Sequence, residues 1–269
     1  FDLREPATVH AAVQAAGADH VLHLAAQSFV PAAFSDPAGT LAVNVGGTLN
    51  LLQALGAAGF GGRLLYVSSA DVYGAVAADA LPVTEAHLPA PRNPYAVSKA
   101  AAEMLCRQWH FTEGLDVIVA RPFNHTGAGQ DERFVLSGFA RRIAQIMAGT
   151  APPRFDTGNL QVTRDFSDVR DVLDAYMTLL DAGRAGEIYN VCSGVERKVA
   201  DLLHGMLQAA GIRAEVVTDP ARLRPNEQLR MVGSHDKLSA HTGWQPQCRF
   251  EETLAAMTAW WQAKESGNE

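Results

Sequence analysis

Cysteine is scarce in this 269-residue chain, and the three present, Cys106, Cys192 and Cys248, lie far apart with no Cys-x-x-Cys spacing. An odd, scattered set argues against a disulfide framework and against a zinc site, and fits a reducing cytoplasm. The nine histidines are spread without metal-ligand spacing, so no metal is expected. Charge is sparse as well: Asp, Glu, Lys and Arg make up 19% of the chain, against roughly 25% in an average soluble protein. A net charge of −7 and the lack of any basic cluster argue against a nucleic-acid surface. An anionic ligand has to be held instead by a few placed arginines. No apolar run approaches the ~18 residues that a membrane span needs, and Phe1-Asp2-Leu3-Arg4-Glu5 does not read as a signal peptide. No internal repeat, low-complexity tract or linker is visible.

Apolar residues fill 48% of the chain, enough for a sizeable core. Short apolar runs alternate with helical stretches in the first half, the rhythm of a parallel sheet with crossover helices. Strands are expected over 21–26, 63–68, 116–121 and 188–192. Helices are expected over 37–57, opened by Asp36-Pro37, and from about Pro94 to Thr112. Sequential strands joined by helices make a doubly wound α/β sheet. Beyond Pro122 the texture changes: 124–133 reads as a Gly-rich polar loop. Helices over 135–148 and 199–210, a short strand over 214–218 and an amphipathic helix over 250–264 follow. The stretch 168–190 is expected to cross back to the sheet.

Tyr95 and Lys99 lie four apart, so on a helix both side chains share one face. A free phenol titrates near ~10 and exchanges protons poorly at neutral pH, and a neighbouring ammonium is expected to lower that value. Ser69, at the end of the preceding strand, can hydrogen-bond a reacting oxygen. Together they form an acid/base for carbonyl–alcohol chemistry. Tyr-x-x-x-Lys alone occurs by chance in many helices. Here it stands in an ordered series: Ser68-Ser69-Ala70-Asp71-Val72-Tyr73-Gly74, then Tyr95-Ala96-Val97-Ser98-Lys99, then Arg121-Pro122-Phe123-Asn124-His125.

That series resembles the extended short-chain dehydrogenases/reductases that modify nucleotide sugars, over almost the whole chain. The resemblance implies a Rossmann-type sheet carrying NADPH or NADH and a smaller C-terminal substrate lobe. The dinucleotide-binding part would be 1–122, with 168–190 returning to it, and the substrate lobe mainly 123–269. It makes Ser69, Tyr95 and Lys99 catalytic. The cofactor would meet Asp2 and Leu3 at the adenine, Leu24, Ala25, Ala26 and Gln27 along its phosphates and ribose, Tyr95 and Lys99, and Pro122 and His125 at the nicotinamide. Asn44 resembles the family's structural asparagine, bonding backbone between strands. The sugar nucleotide would meet Ser69, Asp71, Asn124, Val135, Arg164, Arg224 and Glu227. Arg164 and Arg224 are each placed in a loop. A homodimer through the helices at 40–57 and 95–112 is implied too.

One departure concerns the cofactor's pyrophosphate. Relatives carry Gly-x-x-Gly-x-x-Gly between their first strand and the helix whose N-terminus cradles the phosphates. Here Gly56-Ala57-Ala58-Gly59-Phe60-Gly61-Gly62 has that spacing, but it ends a helix and precedes a strand, so it reads as a helix stop. Phe1-Asp2-Leu3 matches the end of the family's third strand, and the first two strands and their helix are expected to be absent from the chain as given. Asn124-His125-Thr126-Gly127-Ala128-Gly129-Gln130, Phe134-Val135 and Gly158-Asn159-Leu160 look like the GDP-mannose branch. That implies reduction of the 4-keto group of GDP-4-dehydro-6-deoxy-mannose. Asp71 stands where 4,6-dehydratases place a longer Glu as base for the C5 proton, which a reductase does not need. A 4-epimerase, a GDP-mannose 4,6-dehydratase and a cofactor-free scaffold relative remain the alternatives.

Overall fold

The computed structural model describes residues 1–223 and 228–267. The chain opens with α1 (Pro6–Ala16), β1 (His20–His23), α2 (Val30–Ser35) and α3 (Pro37–Leu41). A π-helical turn, Ala42–Gly46, joins α3 to α4 (Gly47–Ala57), so the helix expected over 37–57 is continuous but widened at Asn44. Then come β2 (Arg63–Val67), α5 (Pro94–Glu113), β3 (Asp116–Pro122), β4 (Asn124–Thr126), α6 (Val135–Met147), β5 (Arg154–Thr157) and β6 (Thr163–Asp168). The remainder is α7 (Val169–Ala182), β7 (Ile188–Val191), β8 (Glu196–Lys198), α8 (Val199–Ala209), β9 (Glu215–Thr218), α9 (Asp236–Thr242) and α10 (Phe250–Glu265). No helix among the described residues is long and apolar enough to cross a membrane.

The main sheet has the order β1-β2-β3-β7, all parallel. Its central strands β2 and β3 carry apolar residues on both faces, as a sheet covered on both sides requires. Leu64 and Tyr66 of β2 pack with Val117 and Val119 of β3 beneath Leu52 and Leu55 of α4 and Cys106 of α5. The alternate residues, Leu65, Val67, Ile118 and Ala120, face Ala175 and Leu179 of α7 and Leu238 of α9. The expected doubly wound α/β architecture is what forms, and α7 and β7 do return to the sheet. A second core lies among α6, α8 and α10, around Leu136, Ile143, Leu203, Met257 and Trp261. Two small sheets flank it, β4-β6-β8 and β5-β9.

Three local expectations are corrected. Phe1-Asp2-Leu3 is not the end of a strand. Asp2 accepts from the Arg4 backbone N–H (2.9 Å) and from its guanidinium Nη2 (2.6 Å), which closes a turn before α1. Residues 124–126 form β4 rather than a loop, in register with β6, Asn124 opposite Phe166. Arg164 likewise sits on β6 and not in a loop. Polar strands such as Thr163-Arg164-Asp165 carry no apolar periodicity. Here they are held by tertiary bonds: buried Asp165 accepts from Ser193 N (2.9 Å), Gly194 N (3.0 Å) and Gly233 N (3.2 Å).

At the end of β1, His23 is buried and its Nε2 lies 3.0 Å from Thr48 Oγ1. Burial, with a smaller contribution from Lys99, pushes its imidazole down to about 4. An unfolded histidine titrates near ~6.5, so the unfolded chain takes up the proton first. Stability is therefore expected to fall as pH drops from about 6.5 towards 4, by roughly 3 kcal/mol in all. Urea titrations at a series of pH values check this. His23→Gln should flatten the slope in that window, and an unchanged slope would show that His23 does not titrate there.

Candidate active site

The main sheet ends its strands on one side, the position where open α/β sheets bind ligands. Strand β2 stops at Val67, and Ser69 opens a short 3-10 turn, its side chain accepting from Asp71 N at 3.2 Å. Opposite, α5 begins sharply: the Asn93 side chain accepts from Ala96 N at 2.7 Å and Pro94 occupies the first turn. Tyr95 and Lys99 therefore leave the first two turns of α5 on one face, as their spacing requires. The Ser69 hydroxyl hydrogen-bonds the Tyr95 phenol, and the Asp71 carboxylate is close enough to act on it. Lys99 is buried, and its Nζ donates to Val67 O at 2.7 Å. Ser69, Asp71, Tyr95 and Lys99 are thus brought together.

The electrostatics correct one expectation. Burial, and then the Asp71 carboxylate, push the Tyr95 phenol above its ordinary value; the Ser69 hydroxyl opposes them. In this environment desolvation outweighs any help from Lys99, so the phenol holds its proton at neutral pH. Lys99 moves the other way, burial bringing its ammonium down to about 8.

Behind this pair lies a charge cluster with no counterpart in the sequence reading. Glu103, one turn beyond Lys99, and Arg121, on β3, are both almost fully buried. Arg121 Nε donates to Glu103 Oε2 at 3.0 Å and Nη2 to Oε1 at 2.5 Å, a bidentate pair. Ser68 Oγ also donates to Glu103 Oε2 at 3.0 Å. The guanidinium lies 4.7 Å from the centre of the Tyr73 ring, and Tyr73 donates to Asn190 Oδ1 at 2.6 Å. The ends of β2, β3 and β7 are thereby tied to the middle of α5. Glu103 stands eight residues from Tyr95 on the same helical face, the one signal the sequence offered.

Asn44 does not bridge strands. Its Oδ1 accepts from Gln27 N at 2.8 Å, and its Nδ2 donates to Gln27 O at 3.0 Å and Ser98 Oγ at 2.8 Å. It links the segment after β1 to α5. Within that segment Leu24 and Ala25 are exposed, while Gln27 Oε1 accepts from Phe29 N at 2.6 Å. Pro122 is buried, and His125 Nδ1 lies 3.0 Å from Phe123 O. Leu3 packs on α4, where a Cβ at Gly47 would come within 2.8 Å of its own Cβ. Asp2 is paired with Arg4. Asn124 and Val135 are exposed. Arg164 Nη1 donates to Thr163 O at 2.7 Å. Arg224 and Glu227 lie outside the described residues.

The Gly56–Gly62 stretch behaves as a helix stop: Gly59 takes a φ of +65° and Phe60 N donates to Leu55 O at 3.0 Å. It precedes β2, so it lies at the opposite end of the strand from Ser69. The residues present do fit the nicotinamide-ribose end of a dinucleotide. An ammonium carries three donors, and Lys99 makes no ion pair among the described residues and gives one bond to a carbonyl. Small residues, Ala25 and Ala26, follow β1.

The family model described as GDP-mannose 4,6 dehydratase matches residues 1–257. The chain is 53% identical over 246 residues to the GDP-6-deoxy-D-mannose reductase of Pseudomonas aeruginosa, covering 91% of this chain and 81% of that relative. It is 32% identical over 251 residues to a dTDP-glucose 4,6-dehydratase of Actinoplanes sp., covering 92% of this chain and 75% of that one. Among solved structures, RMD from Pseudomonas aeruginosa complexed with NADPH superposes with a TM-score of 0.94 at 50% identity, over 98% of this chain and 88% of that chain.

Proposed function

The chain belongs to the GDP-mannose 4,6-dehydratase family, and on that premise we propose that it reduces the 4-keto group of GDP-4-dehydro-6-deoxy-D-mannose to give GDP-D-rhamnose. The observation that carries this reading is the placement of Tyr95 and Lys99 on one side of α5 near Ser69 at the end of β2, with the phenol kept protonated by burial and by Asp71. A ketone becoming an alcohol needs one proton at its oxygen, and a buried neutral phenol is a donor with that proton in place. The Pseudomonas aeruginosa reductase relative supports the choice of sugar.

Ser69 holds the substrate O4, and Tyr95 gives it a proton. A reduced nicotinamide, NADPH or NADH, supplies the hydride to C4 when bound. Lys99 grips the ribose and steadies the phenolate left on Tyr95 after transfer. Leu24, Ala25, Ala26 and Gln27, with Pro122 and His125, line the cofactor, and Asp2 and Leu3 its adenine end. Asn124, Val135, Arg164, Arg224 and Glu227 hold the GDP-sugar, the arginines at its diphosphate. Residues 1–122 with 168–190 serve the cofactor, and the remainder chiefly the substrate.

The test is a steady-state assay with GDP-4-dehydro-6-deoxy-D-mannose and reduced cofactor, with product identified by mass spectrometry and NMR. GDP-D-rhamnose formed with one equivalent of cofactor oxidised supports the reading. Conversion between C4 epimers with no net cofactor consumption would identify an epimerase instead.

We further propose a cytoplasmic homodimer through α4 and α5. Val97, Met104 and Phe111 recur every seven residues along α5 and are all exposed. That leaves an apolar stripe pointing away from the sheet. Light scattering should give twice the 28.8 kDa chain mass, and Met104→Lys should return it to the monomer. A wild-type monomer at micromolar concentration would count against the dimer.

A further inference from the structure

The floor beneath Lys99 is aromatic. Tyr66, in the fourth position of β2, is 1% exposed, and Lys99 Nζ lies 5.1 Å from the centre of its ring. The phenol hydroxyl donates to the backbone carbonyl of Lys99 itself, at 3.4 Å. Tyr66 is thus tied to one residue twice, by its rim to the helix backbone and by its face to the side-chain cation. The ammonium also donates to Val67 O, the residue next along the same strand.

Among the described residues, titratable groups from α5, β1, β2 and the turn after β2 surround this ammonium. From α5, Cys106 acts on it and Tyr95 shares its side of the helix, both pushed above their ordinary values by burial, and Glu103 stands one turn on, paired to Arg121. From β1, the His23 ring lies tilted against Tyr66, centroids 5.7 Å apart, and is held neutral near pH 7. From β2, Tyr66 is itself kept protonated by burial. Asp71 sits on the turn beyond Ser69, next to Tyr95. No carboxylate among the described residues forms an ion pair with Lys99. An ammonium buried with a single carbonyl for company loses charge readily. The negative face of the Tyr66 ring is a second stabiliser, and a ring–cation contact is strongest where water is excluded.

We infer that Tyr66 is a positioning residue of the catalytic site: its ring face holds the buried Lys99 ammonium charged and in place before cofactor arrives. This rests on the reading of Lys99 as a catalytic residue. Burial already brings Lys99 down to about 8. Loss of the ring therefore moves its charge across the working pH range.

The chain has four lysines, Lys99, Lys198, Lys237 and Lys264. Carbon-13 labelling at Cε followed by NMR titration of the cofactor-free enzyme therefore resolves Lys99, with Lys99→Met as the assignment control. In Tyr66→Leu its titration is expected to fall by about one pH unit, a factor of ~10 in proton affinity. The alkaline limb of kcat/KM for reduced cofactor, which reports groups of the free enzyme, should fall by the same amount. Since Tyr66→Leu opens a core position, the second series keeps the ring. Tyr66→Phe restores the wild-type titration, and phenylalanines fluorinated at one, three and five ring positions, introduced at position 66, lower it stepwise as the face loses its negative potential. A Lys99 titration that ignores the fluorine count overturns the inference. A stepwise titration with an unmoved kcat/KM limb supports it and overturns the catalytic reading of Lys99 instead.

Discussion

Tyr95→Phe is expected to lower kcat by roughly 10²–10⁴-fold, the usual worth of a positioned acid–base group. The substitution keeps the ring and removes one hydroxyl. The ring is almost fully buried against its surroundings, so the fold has nothing to repack. The lost group is the one bonded by Ser69 and held protonated by burial and by Asp71. Because that proton is transferred only as the ketone is reduced, kcat and kcat/KM should fall together while KM stays close to wild type. Steady-state kinetics and a denaturation curve measured on one preparation separate the two effects. Near-normal turnover in a folded variant would show that another group delivers the proton. A KM rise with kcat intact would mean that the phenol binds substrate without reacting.

Glu103→Ala is expected to cost about 3–5 kcal/mol of stability, the range found when one partner of a buried ion pair is removed. The figure follows from what is left behind. Arg121 would keep a full charge at a position 2% exposed, with the Tyr73 ring as its main remaining support. The Ser68 hydroxyl would lose its acceptor as well. Replacing both partners by apolar groups, Glu103→Leu with Arg121→Met, should cost far less, because no orphaned charge remains. Urea denaturation of the two single variants and the double variant gives the coupling directly. Single and double variants of equal stability would show that the pair is not the clamp described above. Since Ser68 adjoins Ser69, the single variant should also lose activity at temperatures where it is still folded.

Much of the main sheet and its helices was legible in the order of residues. Apolar runs placed β2, β3 and β7 to within a residue or two. Asp36-Pro37 and Pro94 marked helix starts, with Asp36 accepting from Gly39 N and Asn93 from Ala96 N as N-caps do. The glycine stretch at 56–62 was recognisable as a helix stop because its neighbours on each side were. The second half was less legible. Strand β6 is polar at Thr163, Arg164 and Asp165, and it pairs with β4 on one side and β8 on the other. Such a strand is stabilised by partners 28 to 68 residues away, as Asp165 shows. No local pattern announces it.

The sequence by itself determined which residues could react. Tyr95 and Lys99 four apart on a capped helix, with Ser69 just past a buried strand, follow from helical pitch and strand alternation, which are properties of neighbours along the chain. The tertiary structure alone decided the protonation state in which they are held. The phenol was expected to be lowered and is raised, because burial and the Asp71 carboxylate are brought to it by the fold. Lys99 rests on the Val67 carbonyl and the Tyr66 ring, 32 and 33 residues away. Arg121 meets Glu103 only because α5 lies across the ends of β2 and β3. Desolvation and charge act through space and sum over everything nearby, so their sign at one residue is unknown until the chain has closed around it.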